Sequence, residues 1–470
     1  MLAGDGKKKI GTLAGRRRRN VRILMSLAAV AVLAAGGTTL VLTQRGTATA
    51  AQEAPATSAQ PAPVTATPQV VPLSGNAPMP SPQALSAALA PVVANPALGV
   101  FTGSVADAQT GTVLWSQNPD TPMTPASTTK ILTATAAMLA LPQDHRVATR
   151  VVQGSRPGEL VLIGEGDPTL TAQPAGEPSY YAGSPRIADL VEQIRRADVP
   201  VDSIVVDTGA YAGPTMAQGW FPADVAAGYI APTEPVMIDG ARIKPFEDES
   251  PRSSTPALDA GRVLAQTLGV DPARVSLGQA ESGAAPVASV LSAPLRDRLG
   301  QMIRGSDNVL AEAIAREIAV AKNAEPSFAG ATAAIGQTLY ETGFGLDGLT
   351  LHDGSGLSVD NRIPARLLTE ALTAAAGDAK PQLRPMLDYL PVAGATGTLS
   401  GRYASGDRAG AGWVRAKTGT LSVASALTGY VVDVDGRVLT FTLMSNDRPP
   451  EASRPALDAV ASTLRLCGCR

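Results

Sequence analysis

The chain has 470 residues, a formal net charge of −2 at neutral pH, 44% hydrophobic residues and only 4% aromatic residues. Its length allows more than one domain and a sizeable core, and the scarcity of aromatics means that Leu, Val, Ile and Ala must build most of that core. The near-neutral charge argues against a nucleic-acid partner, because proteins that bind nucleic acids carry a basic excess.

The N-terminus has the layout of a membrane-targeting segment. Residues 1–22 contain a cluster of Lys and Arg, and residues 23–43 follow without any charge. About twenty apolar residues suffice to span a bilayer, and the basic flank stays in the cytoplasm. An A-x-A sequence at Ala48–Ala50 also fits cleavage of a signal segment. Both alternatives place the rest of the chain in the cell envelope outside the cytoplasm, membrane-anchored if the segment is kept and secreted if the chain is cleaved after Ala50.

Residues 44–81 are rich in Pro, Ala and Thr and have almost no charge, which predicts a disordered tether. Helical periodicity then predicts helices over 82–93 and 125–141. Alternating patterns around turn residues predict two hairpins, one from 99–108 and 111–116 and the other from 426–434 and 437–443.

The middle of the chain, residues 164–287, has the character of strands and turns, including a strand at 201–207. Its length of about 120 residues suits a small domain of its own. Helical periodicity returns from residue 295 and continues through 309–319. The last predicted element is an amphipathic helix at 455–466.

The two cysteines, Cys467 and Cys469, lie at the extreme C-terminus. In an exported chain these thiols are able to pair, although the small ring is strained. They lack partners for a metal, because a closed zinc site takes four ligands and the chain has two histidines. We therefore expect a dispensable tail, and neither a metal nor a cofactor.

Three short motifs carry most of the chemical information: Ser127-Thr-Thr-Lys130, Ser306-Asp-Asn308 and Lys417-Thr-Gly419. Beyond the basic N-terminus the chain has only five lysines, and two of them lie in these motifs. Each motif alone has a plain structural explanation, as a helix cap or a strand end. Together and in this order they match the S-x-x-K, S-x-N and K-T-G set of the enzymes that penicillin acylates.

The first motif pairs a nucleophile with a base. Ser127 is predicted near a helix N-terminus, where free amides and the helix dipole favour negative charge. Lys130 lies one turn later on the same face. It can accept the proton of Ser127 only if its own pKa is lowered, by burial or by a second cation, and Lys417 is the expected second cation.

The other two motifs are expected to complete the site. Alternation in an extended turn places Ser306 and Asn308 on one side, to relay a proton and orient the substrate, and Asp307 on the other as a structural residue. Lys417 and Thr418 are expected to hold a substrate carboxylate. Gly419 lets the substrate backbone lie against the strand, and the amides of Ser127 and Thr420 form an oxyanion hole.

Three longer stretches of sequence, in addition to the motifs, resemble those of a known family. Gly164–Leu170 resembles a G-x-G-D-P stretch, His352–Ser358 a D-G-S-G-L-S loop, and Pro391–Leu399 a P-V-A-G-x-x-G-T-L stretch. In these strings the chain resembles the low-molecular-weight class C penicillin-binding proteins, the penicillin-binding protein 4 type of D-alanyl-D-alanine carboxypeptidase/endopeptidase. The resemblance covers about residues 82–466, and the long separation between Ser127 and Ser306 fits the inserted domains of that family.

The resemblance implies an α+β fold of the penicillin-binding-protein and serine β-lactamase-like transpeptidase type, an antiparallel sheet flanked by helices. Its catalytic domain would comprise residues 82–163 and 288–470, with one smaller inserted domain at 164–287. A single hydrophobic helix and the tether would precede it.

The implied activity is that of a serine D-alanyl-D-alanine carboxypeptidase, with DD-endopeptidase action left open. It would act on peptidoglycan stem peptides through an acyl-enzyme, and β-lactam antibiotics would acylate it. Two alternatives remain: a β-lactamase or esterase of the same fold, and a non-catalytic cell-wall-binding protein. The sequence offers no candidate for the acidic residue that β-lactamases use for fast deacylation.

Overall fold

The computed structural model describes residues 76–470. The predicted basic segment, the membrane-targeting segment 23–43 and nearly all of the tether lie outside the described residues. Among the residues that are described, no helix has both the length and the apolar character needed to cross a membrane.

The strands, in chain order, are β1 Val100–Asp107, β2 Val113–Gln117, β3 Pro122–Met123, β4 Ala148–Gln153, β5 Glu159–Gly164, β6 Ser203–Asp207, β7 Val275–Gly278, β8 Pro286–Leu291, β9 Ile363–Pro364, β10 Val414–Leu421, β11 Ala424–Val432 and β12 Val438–Asn446. The helices are α1 Pro82–Val93, α2 Thr129–Ala140, α3 Ile187–Arg196, α4 Ala223–Ala226, α5 Pro256–Leu268, α6 Leu295–Gly305, α7 Asn308–Ala321, α8 Phe328–Glu341, α9 Ala365–Ala376, α10 Pro385–Tyr389 and α11 Pro450–Leu466.

The larger sheet is antiparallel and has the order β10-β11-β12-β1-β2. Both predicted hairpins are confirmed, β1 with β2 and β11 with β12. The two hairpins join through the pairing of β1 with β12, from Val100 opposite Asn446 to Asp107 opposite Leu439. The first and last parts of the described chain therefore share one sheet, whose edge strands are β10 and β2.

Helices cover both faces of this sheet, so its central strands are buried on both sides. On one face, α1 and α11 pack against residues such as Phe441 and Leu427. On the other face lie α9 and a group of helices built around α2, α7 and α8. Nearly every residue of α2 is buried, and its Ala and Thr side chains are small enough to allow close neighbours. A lysine in α2 is therefore held inside the protein.

A second sheet, of mixed direction, has the order β7-β6-β5-β4-β8. Parallel pairs join β5 to β6 and β6 to β7, while β4 pairs antiparallel with β5 and β8. Helices α3 and α5 pack on one face through an apolar cluster that includes Leu190, Ile204 and Leu264. This sheet draws its strands from residues 148–291, a wider range than the predicted insert of 164–287.

A largely irregular segment, residues 208–255, lies between β6 and α5 in the chain and packs against two helices of the first sheet. Its buried Trp220, Ile230 and Met237 form a cluster with Val309 of α7 and Phe328 of α8. Hydrophobic burial thus fixes this segment on α7, the helix that begins with the S-D-N motif.

The C-terminal tail is part of the packed structure, which contradicts the expectation of a dispensable tail. Cys467 and Cys469 form a disulfide, and Cys467 is buried in the cluster beneath α11. The carbonyl oxygen of Cys469 accepts a hydrogen bond from the Ser81 amide at 2.6 Å. Arg470 forms an ion pair with Asp435. The tail therefore joins the start of α1 to the β11–β12 turn.

One buried ion pair closes the sheet at the end of β1. Asp107 Oδ2 accepts hydrogen bonds from Arg437 Nη2 at 2.7 Å and from the Thr110 amide at 2.8 Å. Burial would raise the pKa of Asp107, but the bonds from Arg437 and Thr110 outweigh it and lower that pKa below its usual value. The carboxylate is therefore charged under all ordinary conditions.

Replacing Asp107 by Ala is expected to lower the free energy of unfolding by about 3–5 kcal/mol, because Arg437 then keeps its buried charge without a partner. Denaturant titration of the variant measures the loss. Asp378→Ala is the matched control: it removes the fully exposed partner of Arg384, and less than about 1 kcal/mol should follow. Equal losses in the two variants would contradict the structural role of the buried pair.

Candidate functional site

The first motif begins in a tight turn rather than in the predicted helix. Ala126–Thr128 form one turn of 3₁₀ helix, and the α-helix α2 starts only at Thr129. Ala126 is fully buried and has a left-handed φ of 48°, a conformation that is strained for a residue with a side chain. This turn orients Ser127 toward the first residues of α2.

Lys130 connects three parts of the chain. Its Nζ lies 3.0 Å from Ser127 Oγ, 2.6 Å from Asn308 Oδ1 and 2.7 Å from the carbonyl oxygen of Ser355. The side chain is fully buried. The predicted nucleophile, base and orienting amide are thus in direct contact.

The second motif spans the junction of α6 and α7. Ser306 ends α6 in the left-handed conformation, with φ of 58°, and its Oγ lies 2.8 Å from Lys417 Nζ. Asp307 caps α7, because its Oδ1 accepts the Leu310 amide at 2.9 Å. Asn308 opens α7 and faces Lys130, so the three side chains point to different neighbours.

Asp307 fixes the motif to the middle of the chain. Its Oδ2 accepts hydrogen bonds from the Tyr181 hydroxyl at 2.8 Å and from Arg242 Nη2 at 3.2 Å. Burial would raise its pKa, but the charges of Arg242 and Arg252 outweigh burial and lower it to about 2. Asp307 is therefore a permanent anion that ties Arg242 to the start of α7.

A backbone carbonyl sets the direction of the Asn308 amide. Asn308 Nδ2 donates to the carbonyl oxygen of Tyr229 at 2.9 Å, in the irregular segment 208–255. Its Oδ1 is consequently the atom that faces Lys130.

The third motif lies on the edge strand β10, beside the Ser127 turn. Lys417 Nζ donates to Ser306 Oγ and to the Thr418 carbonyl oxygen, both at 2.8 Å. Thr418 Oγ1 donates to Thr398 Oγ1 at 2.8 Å. A Cβ on Gly419 would lie 2.6 Å from the carbonyl oxygen of Pro125, so only glycine lets β10 approach the turn this closely.

Part of the β10 edge is open for a peptide. The Ala416 amide donates to Pro391 O at 3.0 Å and Val414 O accepts the Ala393 amide at 2.9 Å, so these alternate residues point away from β11. Backbone N–H and C=O groups change side at every residue of a strand, so those of Thr418 and Thr420 also point away from β11. The Thr420 amide therefore faces the cleft where an oxyanion hole was predicted.

The two motif lysines are both fully buried, which lowers both pKa values. Burial lowers the pKa of Lys130 to about 8, against the opposing effect of Asp353, Asp307 and Glu312. Burial also lowers the pKa of Lys417 well below its usual value, and the charge of Lys130 lowers it further. Of the two causes that the sequence left open for a lowered pKa of Lys130, burial or a second cation, burial is the one that acts most strongly.

Sequence reasoning missed several groups around the site. The carbonyl oxygens of Ser355 and Tyr229 are backbone atoms, which no motif reveals. Arg454 Nη2 lies 3.0 Å from Thr420 Oγ1, and Glu312 lies fully buried one turn after Asn308. The signal available for Glu312 was a charged residue within the helical repeat of 309–319, a feature that it shares with Arg316 and Glu317.

The model of the D-Ala-D-Ala carboxypeptidase 3 (S13) family matches residues 85–251 and 247–465. A carboxypeptidase of Mycobacterium tuberculosis is 51% identical over 404 residues, which are 85% of this chain and 87% of that protein.

Solved structures share the fold. The crystal structure of penicillin binding protein 4 from Haemophilus influenzae matches with a TM-score of 0.65 and 21% identity, over 82% of this chain and 98% of that one. The same protein complexed with a β-lactam matches with a TM-score of 0.60 and 20% identity, over 80% and 97% of the two chains.

Replacing Gly419 by Ala is expected to lower activity by about 10²-fold or more, because the new methyl group forces β10 away from the Ser127 turn. Turnover of a D-Ala-D-Ala peptide measures the effect. Gly401→Ala is the control, since a Cβ there meets no atom within 4 Å, and it should keep wild-type turnover. Full activity in the Gly419 variant would contradict the close approach.

Proposed function

This chain belongs to the D-Ala-D-Ala carboxypeptidase 3 (S13) family and is a serine D-Ala-D-Ala carboxypeptidase; from that premise we propose the role of each residue in its site. The observation that supports the assignment most directly is the bonded set of Ser127, Lys130 and Asn308. It lies next to the Lys417–Ser306 pair, at an open strand edge.

In the acylation step Ser127 Oγ attacks the carbonyl carbon of the penultimate D-Ala. Neutral Lys130 accepts the hydroxyl proton, for which its 3.0 Å contact is well placed. The carbonyl oxygen becomes an oxyanion, and the amides of Ser127 and Thr420 stabilise it. Each such donor contributes a few kcal/mol to transition-state stabilisation.

The leaving group needs a proton as the C–N bond breaks. Ser306 Oγ donates its proton to the nitrogen of the terminal D-Ala, and Lys417, 2.8 Å away, returns a proton to Ser306. After the amine product leaves, Lys130 releases its proton to solvent and Lys417 takes one up, so both return to their starting states. Water then attacks the ester carbonyl of the acyl-enzyme, and Lys130 accepts a proton from that water and passes it to Ser127 Oγ as the ester C–O bond breaks. The products are the shortened peptide carboxylate and free Ser127.

The substrate carboxylate has a further electrostatic effect. In this proposal it binds at Thr418 and Lys417, where a nearby anion favours the ammonium form of Lys417. The positive charge on Lys417 then disfavours a second proton on Lys130, since two ammonium groups in one buried site repel each other. Substrate binding thus prepares Lys130 as the base.

The acidic groups near the site support a carboxypeptidase over a β-lactamase. Asp307, Glu312 and Asp353 are the carboxylates whose charge acts on Lys130. Asp307 binds Tyr181, Arg242 and the Leu310 amide, and the other two bind backbone amides of the loop 353–358. With these oxygens already occupied, none is arranged to activate a deacylating water, so β-lactams should form a long-lived acyl-enzyme.

The proposed substrates are peptidoglycan stem peptides, and the proposed location is the cell envelope, outside the cytoplasm. The basic and apolar layout of residues 1–43 in the sequence supports this location. The open edge at Thr418 and Thr420 also accepts a cross-linked peptide strand, so DD-endopeptidase action remains part of the proposal. The second sheet, from β4 to β8, is proposed as the inserted domain.

Ser127→Ala is expected to abolish both covalent labelling by a fluorescent penicillin and release of D-Ala from a pentapeptide. Both reactions need the same oxygen nucleophile. Gel fluorescence and an assay for free D-Ala measure the two outcomes. Persistent labelling of the variant would overturn the assignment of the nucleophile.

Acylation is expected to accelerate with rising pH up to about 8 and then to level off. Lys130 is protonated below its pKa of about 8 and neutral above it, and only the neutral amine accepts a proton. The rate should therefore fall by about tenfold for each pH unit below the pKa. Stopped-flow acylation by a chromogenic β-lactam measures this low-pH limb, the rising part of the plot of acylation rate against pH. A flat plot between pH 6 and 8 would contradict the role of Lys130.

A further inference from the structure

The surroundings of Lys130 raise a question that the three motifs leave open: how is the lone pair of the base directed toward Ser127? A neutral amine has two N–H donors and one lone pair. Of the three oxygens near Nζ, Asn308 Oδ1 and Ser355 O are pure acceptors and lie at 2.6 and 2.7 Å. If both N–H groups donate to these acceptors, the lone pair faces the third oxygen, Ser127 Oγ at 3.0 Å.

The Ser355 carbonyl therefore orients the base as much as Asn308 does, and its own position needs an anchor. Glu312 provides it. Its Oε1 accepts the Ser355 amide at 2.8 Å and the Gly354 amide at 3.1 Å. Thr133 of α2 donates to the Gly354 carbonyl oxygen at 2.6 Å on the other side.

Glu312 is itself held by α7. It lies one helical turn after Asn308, so one helix face carries both Asn308 Oδ1 and the carboxylate that positions Ser355. Its Oε2 lies 3.6 Å from Arg316 Nη1, one turn further along. Glu312, Ser355 and Arg316 are all buried, and a buried carboxylate with several donors has little freedom to move.

We propose that Glu312 is a positioning residue for the acyl-transfer reaction: it fixes the Gly354–Ser355 backbone so that the Ser355 carbonyl directs the lone pair of Lys130 at Ser127. Glu312 does not touch the substrate in this arrangement. The inference rests on the proposed roles of Ser127 and Lys130, and it adds a fourth part of the chain to the site.

Charge gives Glu312 a second, separable effect. Its anion opposes the loss of the proton from Lys130, together with Asp353 and Asp307. Burial and the nearby Asp353 raise the pKa of Glu312 itself to about 7, against the charge of Arg316. A variant that keeps the two amide bonds but loses the charge will therefore shift the pH dependence of acylation.

Two variants of the full-length protein separate the effects. In Glu312→Gln the amide oxygen still accepts both backbone amides, so the acylation rate constant should remain within about tenfold of wild type. The low-pH limb should move to lower pH, because one anion near Lys130 is gone. In Glu312→Ala the backbone loses its anchor, and the rate constant should fall by about 10²-fold with unchanged binding of the β-lactam before acylation.

Glu317→Gln is the matched control, on the same helix. Glu317 is a buried carboxylate that pairs with Arg298 and His145, away from the Ser355 loop. This variant should keep the wild-type pH limb even where it loses stability. Thermal unfolding of every variant identifies any that fail to fold. If Glu312→Ala fails, Glu312→Asp replaces it: the shorter side chain keeps the charge but cannot reach both amides, so the acylation rate constant should fall while the pH limb stays in place.

The positioning role is overturned if Glu312→Ala, or Glu312→Asp in its place, acylates at the wild-type rate. The charge effect is overturned if the Glu312→Gln limb stays at the wild-type pH or if Glu317→Gln shifts the limb equally. These outcomes are distinct from failure of the proposed function. That failure would appear as penicillin labelling of Ser127→Ala, whatever the Glu312 variants do.

Discussion

Two buried lysine side chains in one cleft are the constraint on which the rest of this structure depends. An ammonium group without water is costly, and two such groups close together are worse. Oxygen atoms around each Nζ offset this cost. Those near Lys130 belong to Ser127, Asn308 and Ser355. Those near Lys417 belong to Ser306 and Thr418. Two of these oxygens, Ser127 Oγ and Ser306 Oγ, are the ones that react in the proposed mechanism.

The architecture follows from the need to bring these oxygens together. Ser127 comes from the turn before α2, Asn308 from the start of α7, and Lys417 from the edge strand β10. Each element is held by its own apolar packing, so the site does not depend on the polar contacts alone for its position. The strained backbone at Ala126 and the close approach at Gly419 each cost free energy locally, and the apolar packing around them offsets that cost.

The middle of the chain contributes to the site, although it contains none of the three motifs. Arg242 and Tyr181 hold Asp307, and the Tyr229 carbonyl fixes the amide of Asn308. The segment 208–255 therefore acts as a support for the S-D-N motif. This coupling explains why an apparently separate stretch of strands and turns includes a well-buried irregular segment next to α7.

The sequence by itself determined the elements and the chemistry that short-range patterns encode. Residue alternation around turns predicted both hairpins of the main sheet, and the spacing of Ser127 and Lys130 predicted their contact within one turn. The patterns could not locate groups whose role depends on distant partners: the Ser355 carbonyl, Glu312, and the Cys467–Cys469 tail against α1. Only the tertiary structure decided these, and it also decided why Lys130 has a lowered pKa, because burial and the direction of a backbone carbonyl arise from packing between segments far apart in the chain.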